Sequence, residues 1–346
     1  MSTSETSNSS DTEAQQAEQV GPSSKEPVRD QLWRNIATVS MVGVAIAVAA
    51  FFGVVTDSFM TTGNILNVLR QMAPTLVVAV AMTFVITTGQ IDLSVGSIVA
   101  FVSALSAVLL DSGWDSSVVI LAALLAGAAL GAVNGWFSAY QGVPSFIVTL
   151  AALSFVRGFA LLLTEGFSVP ISRETFFIQL GRGQLFGVSV PSIIAVVVAI
   201  LGAIVLSRMR FGQYVTGIGS NEESVRRAGV DTRRIKMAVM VLSGTAAALA
   251  GIMIAGRLGS GSANSAVAFE LTVIAAVVLG GTDLFGGKGT IVGSIVGTFI
   301  TSVVANGLIL MGVSPFLTQI VTGIILLLAV WVNLRGFEPL RRRAGN

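Results

Sequence analysis

The sequence predicts an all-α integral membrane protein of about ten transmembrane helices, with both termini in the cytoplasm. The mean hydropathy is +0.84. Apolar residues make up 53% and charged residues only 11% of the 346 residues. A soluble domain is usually about 25% charged, and so few charges would not cover the surface of a soluble fold of this length. A further observation is that the apolar residues are gathered in runs of membrane-spanning length.

The N-terminal segment 1–32 is predicted to be a disordered cytoplasmic tail. It is rich in Ser, Thr, Glu and Gln and has almost no bulky apolar residues, so it cannot bury enough surface to offset its ordering entropy. It also lacks the basic start and apolar core of a signal peptide. A transmembrane domain is expected over 33–337, followed by a basic cytoplasmic tail over 338–346.

Ten apolar runs follow the tail, and each is interpreted as a helix. They are Ile36–Val55, Gln71–Thr88, Val95–Leu110, Ser117–Tyr140, Pro144–Thr164, Pro191–Met209, Ile235–Gly256, Val267–Gly281, Thr290–Met311 and Pro315–Leu334. A membrane-spanning helix needs about 20 apolar residues, and the third and eighth runs are shorter than that. Both short runs adjoin a glycine-rich break.

The positions of the basic residues predict the orientation. If the N-terminus is cytoplasmic and every run crosses the membrane, 15 of the 20 Lys and Arg residues are cytoplasmic, as the positive-inside rule requires. Two connections are long: an outward one over Glu165–Val190 and an inward one over 210–234. The basic balance of the chain therefore concerns membrane orientation, and no nucleic-acid partner is expected.

Two missing residue types exclude whole classes of chemistry. The chain has no Cys and no His, which excludes thiolate nucleophiles, disulfides, zinc–thiolate sites and imidazole catalysis. The stretch around Lys288 is not a phosphate-binding P-loop, because Thr282 and Gly289 stand where that motif requires Gly and Ser or Thr. No catalytic residue, metal site or bound cofactor is expected, and any ATP hydrolysis must come from another chain.

The inward connection contains a predicted helix of about two turns. Ser220 and Glu223 fit a capping box, acidic residues stand near the start and basic residues near the end, and Gly229 is the expected stop. Because so short a helix is marginal in water, it either packs as a capped connector or docks into a partner. The candidate docking residues are Asn221, Glu222, Glu223, Ser224, Val225, Arg226, Arg227, Ala228 and Gly229.

An octet of the form G-x-x-D-L-x-x-G occurs twice, over 89–96 after the second run and over 280–287 after the eighth. An even number of spans separates the two octets, so both are predicted at inward helix ends. Non-helical backbone at membrane depth is tolerated only towards a cavity or a neighbour, and interrupted segments at corresponding positions indicate a transport pathway. The alternative is two ordinary turns at the membrane surface. The candidate pathway or gate residues are Gly89, Gln90, Asp92, Leu93, Ser94, Gly96, Gly280, Gly281, Asp283 and Gly287.

Two ionisable residues within predicted spans, Arg157 and Glu270, are further pathway candidates. A charge within the bilayer is costly and usually faces a partner or a cavity. Arg157 is either a contact for substrate hydroxyls or a structural charge satisfied by backbone carbonyls. Separately, Gly127, Gly131 and Gly135 are spaced four apart, which predicts close packing of the helix that carries them.

Three stretches resemble the membrane subunits of ribose, xylose, arabinose and galactose ATP-binding-cassette (ABC) importers, and the ribose permease subunits most of all. They are Thr88–Ser97, Gly217–Val230 and Ala275–Gly289, in the same order as in the family. The resemblance covers about 33–335. It implies a homodimer of ten-helix subunits around one pathway in the bacterial inner membrane, with Asn221–Gly229 as the coupling helix.

The resemblance also implies two further partners. A cytoplasmic ABC ATPase would use ATP and Mg and dock on the coupling helix, and an extracytoplasmic sugar-binding protein would deliver a monosaccharide. The scarcity of charge in the membrane fits an uncharged substrate. Two alternatives stay open: an ion-coupled secondary transporter of small polar solutes, and a membrane enzyme whose plausible carboxylate pair is Asp92 and Asp283.

Overall fold

The computed structural model describes residues 28–314, 316–321, 323–325, 327–328 and 331. Most of the predicted N-terminal tail, all of the predicted basic C-terminal tail and part of the tenth run lie outside these residues. The chain divides into two units, 1–39 and 40–346. In the first unit, the described residues 28–39 are helical.

The described part of the second unit is built almost entirely of helices. The helices are α1 (Val28–Val55, which begins in the first unit), α2 (Thr62–Thr87), α3 (Val95–Asp111), α4 (Ser116–Ala139), α5 (Ser145–Thr164), α6 (Gln179–Arg182), α7 (Val190–Arg208), α8 (Arg210–Arg227), α9 (Thr232–Leu258), α10 (Phe269–Leu279) and α11 (Ile291–Leu310). Phe176–Ile178 forms a 3₁₀ turn, and residues 316–321 and 323–325 are helical. The strands are β1 (Val169–Pro170), β2 (Gln184–Leu185), β3 (Val188–Ser189) and β4 (Ser260–Gly261).

Six helices in the described part are long and apolar enough to cross a membrane, namely α2, α4, α5, α7, α9 and α11. Residues 41–55 of α1, together with α3 and α10, form shorter apolar helices. The prediction of an all-α membrane protein is thereby confirmed, with short strands added between the helices. The count of about ten spans and the cytoplasmic position of the termini stay predictions.

Two helices begin well before their predicted starts. Helix α1 begins at Val28, so residues 28–32 of the predicted tail are helical. Helix α2 begins at Thr62 rather than Gln71, because the Thr61 hydroxyl caps the free N–H of Asn64. The polar first turn of α2 gave no apolar signal, but it is held by a hydrogen bond of 3.0 Å from the Asn64 side chain to Asn306 of α11.

Helices α2 and α9 form the centre of the fold. Helix α9 packs against α2, α3 and α4, and α2 also packs against α7, α10 and α11. Most of the apolar stretch of α2 and of α9 is buried, whereas α4, α5 and α7 bury only one face. The largest fully buried side chains include Phe84 and Met82 of α2 and Met240 and Met253 of α9.

The glycine stripe of α4 lies directly against α9. A Cβ atom at Gly127 or Gly131 would overlap the backbone of α9 at Gly244 and Met240, respectively. A Cβ atom at Gly135 would press on Met237 in the same way. The predicted close packing is confirmed, and α9 is the partner helix.

The predicted outward connection Glu165–Val190 is ordered by short strands. β1 pairs antiparallel with β4, and β2 pairs with β3 in a hairpin. Arg182 donates hydrogen bonds to the carbonyls of Arg257 (2.7 Å) and Leu258 (3.0 Å) at the end of α9. The chain after α9 then runs beside α3, since Gly261 lies against Ser103 and a later residue, Ala266, lies near Gly96.

Candidate functional site

The first octet forms the break between α2 and α3. Helix α2 ends at Thr87, and Gly89 follows it at a φ of +75°, a backbone conformation that glycine adopts without steric cost. The Gly89 N–H donates to the Ile86 carbonyl (2.9 Å) and the Gln90 N–H to the Val85 carbonyl (3.1 Å). This pair of bonds is the glycine-terminated end that satisfies the last carbonyls of a helix.

Asp92 of the first octet is fully buried and accepts three hydrogen bonds. Its Oδ1 accepts from the N–H (2.9 Å) and the hydroxyl (2.6 Å) of Ser94, and its Oδ2 accepts from the hydroxyl of Ser243 in α9 (2.7 Å). Asn134 of α4 donates to the Ser94 hydroxyl (2.9 Å). Because a buried carboxylate is costly unless it is hydrogen-bonded, this network fastens the octet to α4 and α9.

The first octet is also fastened to the start of α5. The Ile91 N–H donates to the Ser145 hydroxyl (3.1 Å), and the Thr149 hydroxyl donates to the Ile91 carbonyl (3.2 Å). The Gln90 amide donates to Ser138 at the end of α4 (3.3 Å). The octet therefore joins the end of α2 and the start of α3 to three further helices, α4, α5 and α9.

The second octet repeats the local structure of the first. Gly281 follows the end of helix α10 at a φ of +82°, and the Gly281 and Thr282 N–H groups donate to the Val278 and Val277 carbonyls, respectively. The Phe285 N–H donates to Asp283 Oδ1 (3.0 Å), as the Ser94 N–H donates to Asp92. One difference is that the glycine with positive φ stands one residue closer to the aspartate in the second octet.

The two octets lie side by side. The Gly287 N–H donates to the Thr87 carbonyl at the end of α2 (2.9 Å). A Cβ atom added at Gly286 would stand 2.9 Å from the Gly89 nitrogen and 3.0 Å from the Cα of Gly219 in α8. The structure thus brings together the two octets, and a third segment, α8, reaches the same place.

Helix α8 is interrupted at Asn221, where φ is −160° and ψ is 95°. The predicted capping box is wrong: the Asn221 side chain accepts from the Ser224 N–H (3.0 Å), while the Ser220 hydroxyl donates to the Thr216 carbonyl (3.0 Å). The cap shifts by one residue because Ser220 still belongs to the preceding helical segment. The second segment ends at Arg227, and Gly229 follows it as the predicted stop.

The charged side chains of this second segment, 222–227, lie on two sides: one side contacts α9 and the other is exposed. Glu222 accepts from Lys236 (3.1 Å) and from the Thr232 hydroxyl (3.0 Å), which ties the segment to α9. Glu223 pairs with Arg226 and Arg227, whose side chains are 64% and 79% exposed. Exposed ion pairs contribute about 0–1 kcal/mol, so the two guanidinium groups remain accessible to an acidic partner.

A cavity of about 440 Å³ separates segment 222–227 from the first octet. Gly89 and Gln90 of the octet line it on one side, and Glu222 and Lys236 line it on another. The turn between α4 and α5 completes the lining. The first octet therefore faces both a cavity and a neighbouring backbone.

Arg157 and Glu270 lie close to each other at the segment that leads into α10. Arg157 donates to the carbonyls of Ala263 (2.7 Å), Ser265 (2.9 Å) and Ala266 (3.4 Å), which matches the interpretation of a charge satisfied by backbone carbonyls. It is also near enough to Glu270 for electrostatic attraction. Glu270 lies over the Cα of Gly96, and its buried Oε2 accepts no hydrogen bond from the described residues.

Comparison with known proteins assigns the chain to a family. Residues 64–330 match the family described as branched-chain amino acid transport system / permease component. The chain belongs to this family. The matched range contains both octets, helix α8 and the Arg157–Glu270 cluster, so the entire candidate site lies within the part of the chain that defines the family. No solved structure matches the chain.

Several named relatives cover most of the chain. The ribose import permease protein RbsC of Escherichia coli K12 is 38% identical over 85% of this chain and 92% of the relative. The xylose transport system permease protein XylH of the same strain is 35% identical over 86% and 92%. The probable ABC transporter permease protein YphD is 38% identical over 87% and 90%. This chain is accordingly an ABC transporter permease and a multi-pass inner-membrane protein. The family favours this function over the alternative of an ion-coupled secondary transporter.

Some residues of the site were not singled out in the sequence. Ser243 and Asn134 reach Asp92 and Ser94 from other helices, and Lys236 and Thr232 hold Glu222. A small polar residue inside an apolar span is a usable signal, and Asn134 and Ser243 both fit it. The ion pair of Lys236 with Glu222 depends on how α8 folds back, which no local pattern records.

Proposed function

We propose that this chain is the transmembrane permease subunit of an ATP-driven importer of a monosaccharide, such as a ribose-like pentose or a hexose. An extracytoplasmic binding protein delivers the sugar, and a separate cytoplasmic ATPase that uses ATP and Mg supplies the energy. This chain binds no cofactor of its own. The named relatives supply the substrate class, and the chain itself supplies the surface on which the ATPase acts.

The observation that carries the proposal is segment 222–227. It is a short capped helix with two exposed arginines on its free side, while Glu222 fixes its other side to α9. A short helix that exposes its charges on one side and is bonded to α9 on the other suits the coupling helix expected at Asn221–Gly229. The arginines favour an acidic groove on the ATPase.

The sugar pathway is proposed to pass the Arg157–Glu270 cluster and the two octets, which form its inner gate. Arg157 is half-buried on α5, a helix whose apolar side chains are mostly exposed. The guanidinium is held by backbone carbonyls, and the part of the side chain that is left exposed fits a water-filled cavity or a second subunit better than lipid. Two copies of the chain around one pathway would provide such a setting.

Charge reversal of the exposed arginines tests the coupling role. Arg226→Glu with Arg227→Glu adds two acidic side chains beside Glu223, and the altered surface repels an acidic groove. We expect the double variant to lose the ATPase on co-purification and to lose ATP-dependent sugar uptake in proteoliposomes. The matched control is Arg341→Glu with Arg342→Glu, an adjacent arginine pair in the basic C-terminal segment.

The control separates docking from net charge, because both double variants change the charge equally. The control variant should retain both the ATPase and uptake. Normal uptake by the Arg226→Glu/Arg227→Glu variant with its own ATPase would show that segment 222–227 is not the coupling helix.

A further inference from the structure

Three segments that lie at or next to helix breaks meet at one point of the described structure. They are the end of α2 at Thr87 and Gly89, the second octet at Gly286 and Gly287, and the last turn of α8 before its interruption, at Gly219. The Gly287 N–H donates to the Thr87 carbonyl (2.9 Å). We define these residues as the glycine junction.

The glycine junction has no room for a side chain at Gly219. A Cβ atom there would overlap the Thr87 carbonyl oxygen and the Gly287 nitrogen, both of which are backbone atoms. A Cβ atom at Gly287 would lie 3.2 Å from the Cα of Ser220, so the contact is close from either side. Interdigitated backbones of this kind transmit displacement, because packed interiors have low compressibility.

Gly219 stands directly before the coupling segment. Only Ser220 and the non-helical Asn221 separate it from residue 222. A tilt of segment 222–227 therefore moves a residue that touches the second octet and the end of α2, directly before the first octet. The first octet passes the displacement on, because Asp92 is bonded to Ser243 of α9 and Ile91 to Ser145 of α5.

We propose that Gly219 is a positioning residue for transport, and that the glycine junction carries the movement of the coupling segment to both octets at once. This inference rests on the proposed function, since it presupposes an ATPase acting on segment 222–227. It adds that the two octets respond together, through one backbone contact, rather than each through its own helix.

Gly219→Ala tests the inference, with Gly63→Ala as its control. Both positions are helical, but a Cβ atom added at Gly63, near the start of α2, meets no other atom within 4 Å. The measurement is the number of sugar molecules imported per ATP hydrolysed by the assembled transporter. We expect Gly219→Ala to lower this ratio about tenfold, within the range produced by mutations along a coupled network, and Gly63→Ala to leave it unchanged.

The outcomes distinguish this inference from the proposed function. An ATPase that fails to co-purify with the unaltered chain contradicts the proposed function itself. A Gly219→Ala transporter that keeps its ATPase and imports the same number of sugars per ATP as Gly63→Ala overturns the role of the junction alone. The ratio is informative because a smaller amount of folded transporter lowers import and hydrolysis together and leaves the ratio intact.

If the Gly219→Ala transporter does not assemble, hydrogen exchange of the unaltered transporter tests whether the two octets respond together. Peptides that cover 86–92 and 284–289 are compared with and without ATP bound to the partner. We expect the exchange rates of both peptides to change together, because the Gly287 N–H to Thr87 carbonyl bond joins them. A change in one peptide without the other, or in neither, overturns the inference.

Discussion

Replacing Gly131 by Ala tests the packing that holds α4 against the central helix α9. The added Cβ would overlap the Met240 carbonyl oxygen and stand 3.0 Å from the Cα of Val241. Both are backbone atoms of α9, so no rotamer change relieves the contact and the two helices must separate. Overpacking of this kind typically costs about 1–3 kcal/mol.

A matched variant removes the opposing gain in helix propensity. Gly→Ala inside a helix gains up to about 1 kcal/mol, and this gain offsets part of the overlap cost at Gly131. Gly43 of α1 has no atom within 4 Å of an added Cβ, so Gly43→Ala should show the propensity term alone. The difference between the two variants therefore isolates the overlap.

The assay is reversible unfolding of the purified chain in mixed micelles at increasing SDS concentration. We expect Gly131→Ala to be about 1–3 kcal/mol less stable than Gly43→Ala, which is a roughly 5–150-fold larger unfolding constant. Equal free energies of unfolding for the two variants would refute the backbone contact between α4 and α9.

Three further predictions concern the site. Ser243→Ala leaves Asp92 Oδ2 without its donor and should lower the free energy of unfolding by about 1.5–3 kcal/mol; the loss should be smaller in an Asp92→Ala background, where no carboxylate is left unpaired. Asn221→Ala removes the cap of segment 222–227 at a cost of about 0.5–2 kcal/mol; amide exchange over 222–228 should accelerate, and Asn221→Asp should restore protection. Gly96→Ala places a Cβ on the Glu270 carboxylate, so its destabilisation should be smaller in a Glu270→Ala background; equal costs in both backgrounds would contradict the contact.

Local signals predicted much of the helical architecture. Glycines at fixed spacing marked the packed face of α4, and Gly89 and Gly229 marked where helices end. The repeated octet predicted a break at the end of each preceding helix, and the turns at Asp92 and Asp283 form these breaks. These features depend on backbone conformation over a few residues, which the sequence records directly.

Features that depend on distant residues were not predictable in the same way. The bond between Asp92 and Ser243 joins positions 151 residues apart, and the carbonyls around Arg157 come from a segment more than 100 residues later. The cap of segment 222–227 was misplaced because Ser220 and Asn221 are both good capping residues. Only the interruption at Asn221 decides between them.

The most direct test of the central claim is sugar uptake by proteoliposomes that contain this chain, with its ATPase inside and its binding protein outside. The account predicts that ribose or a related monosaccharide enters only when ATP, Mg and the ATPase are all present. An imposed proton or sodium gradient should not replace them. Uptake by this chain alone, driven by an ion gradient, would contradict the account.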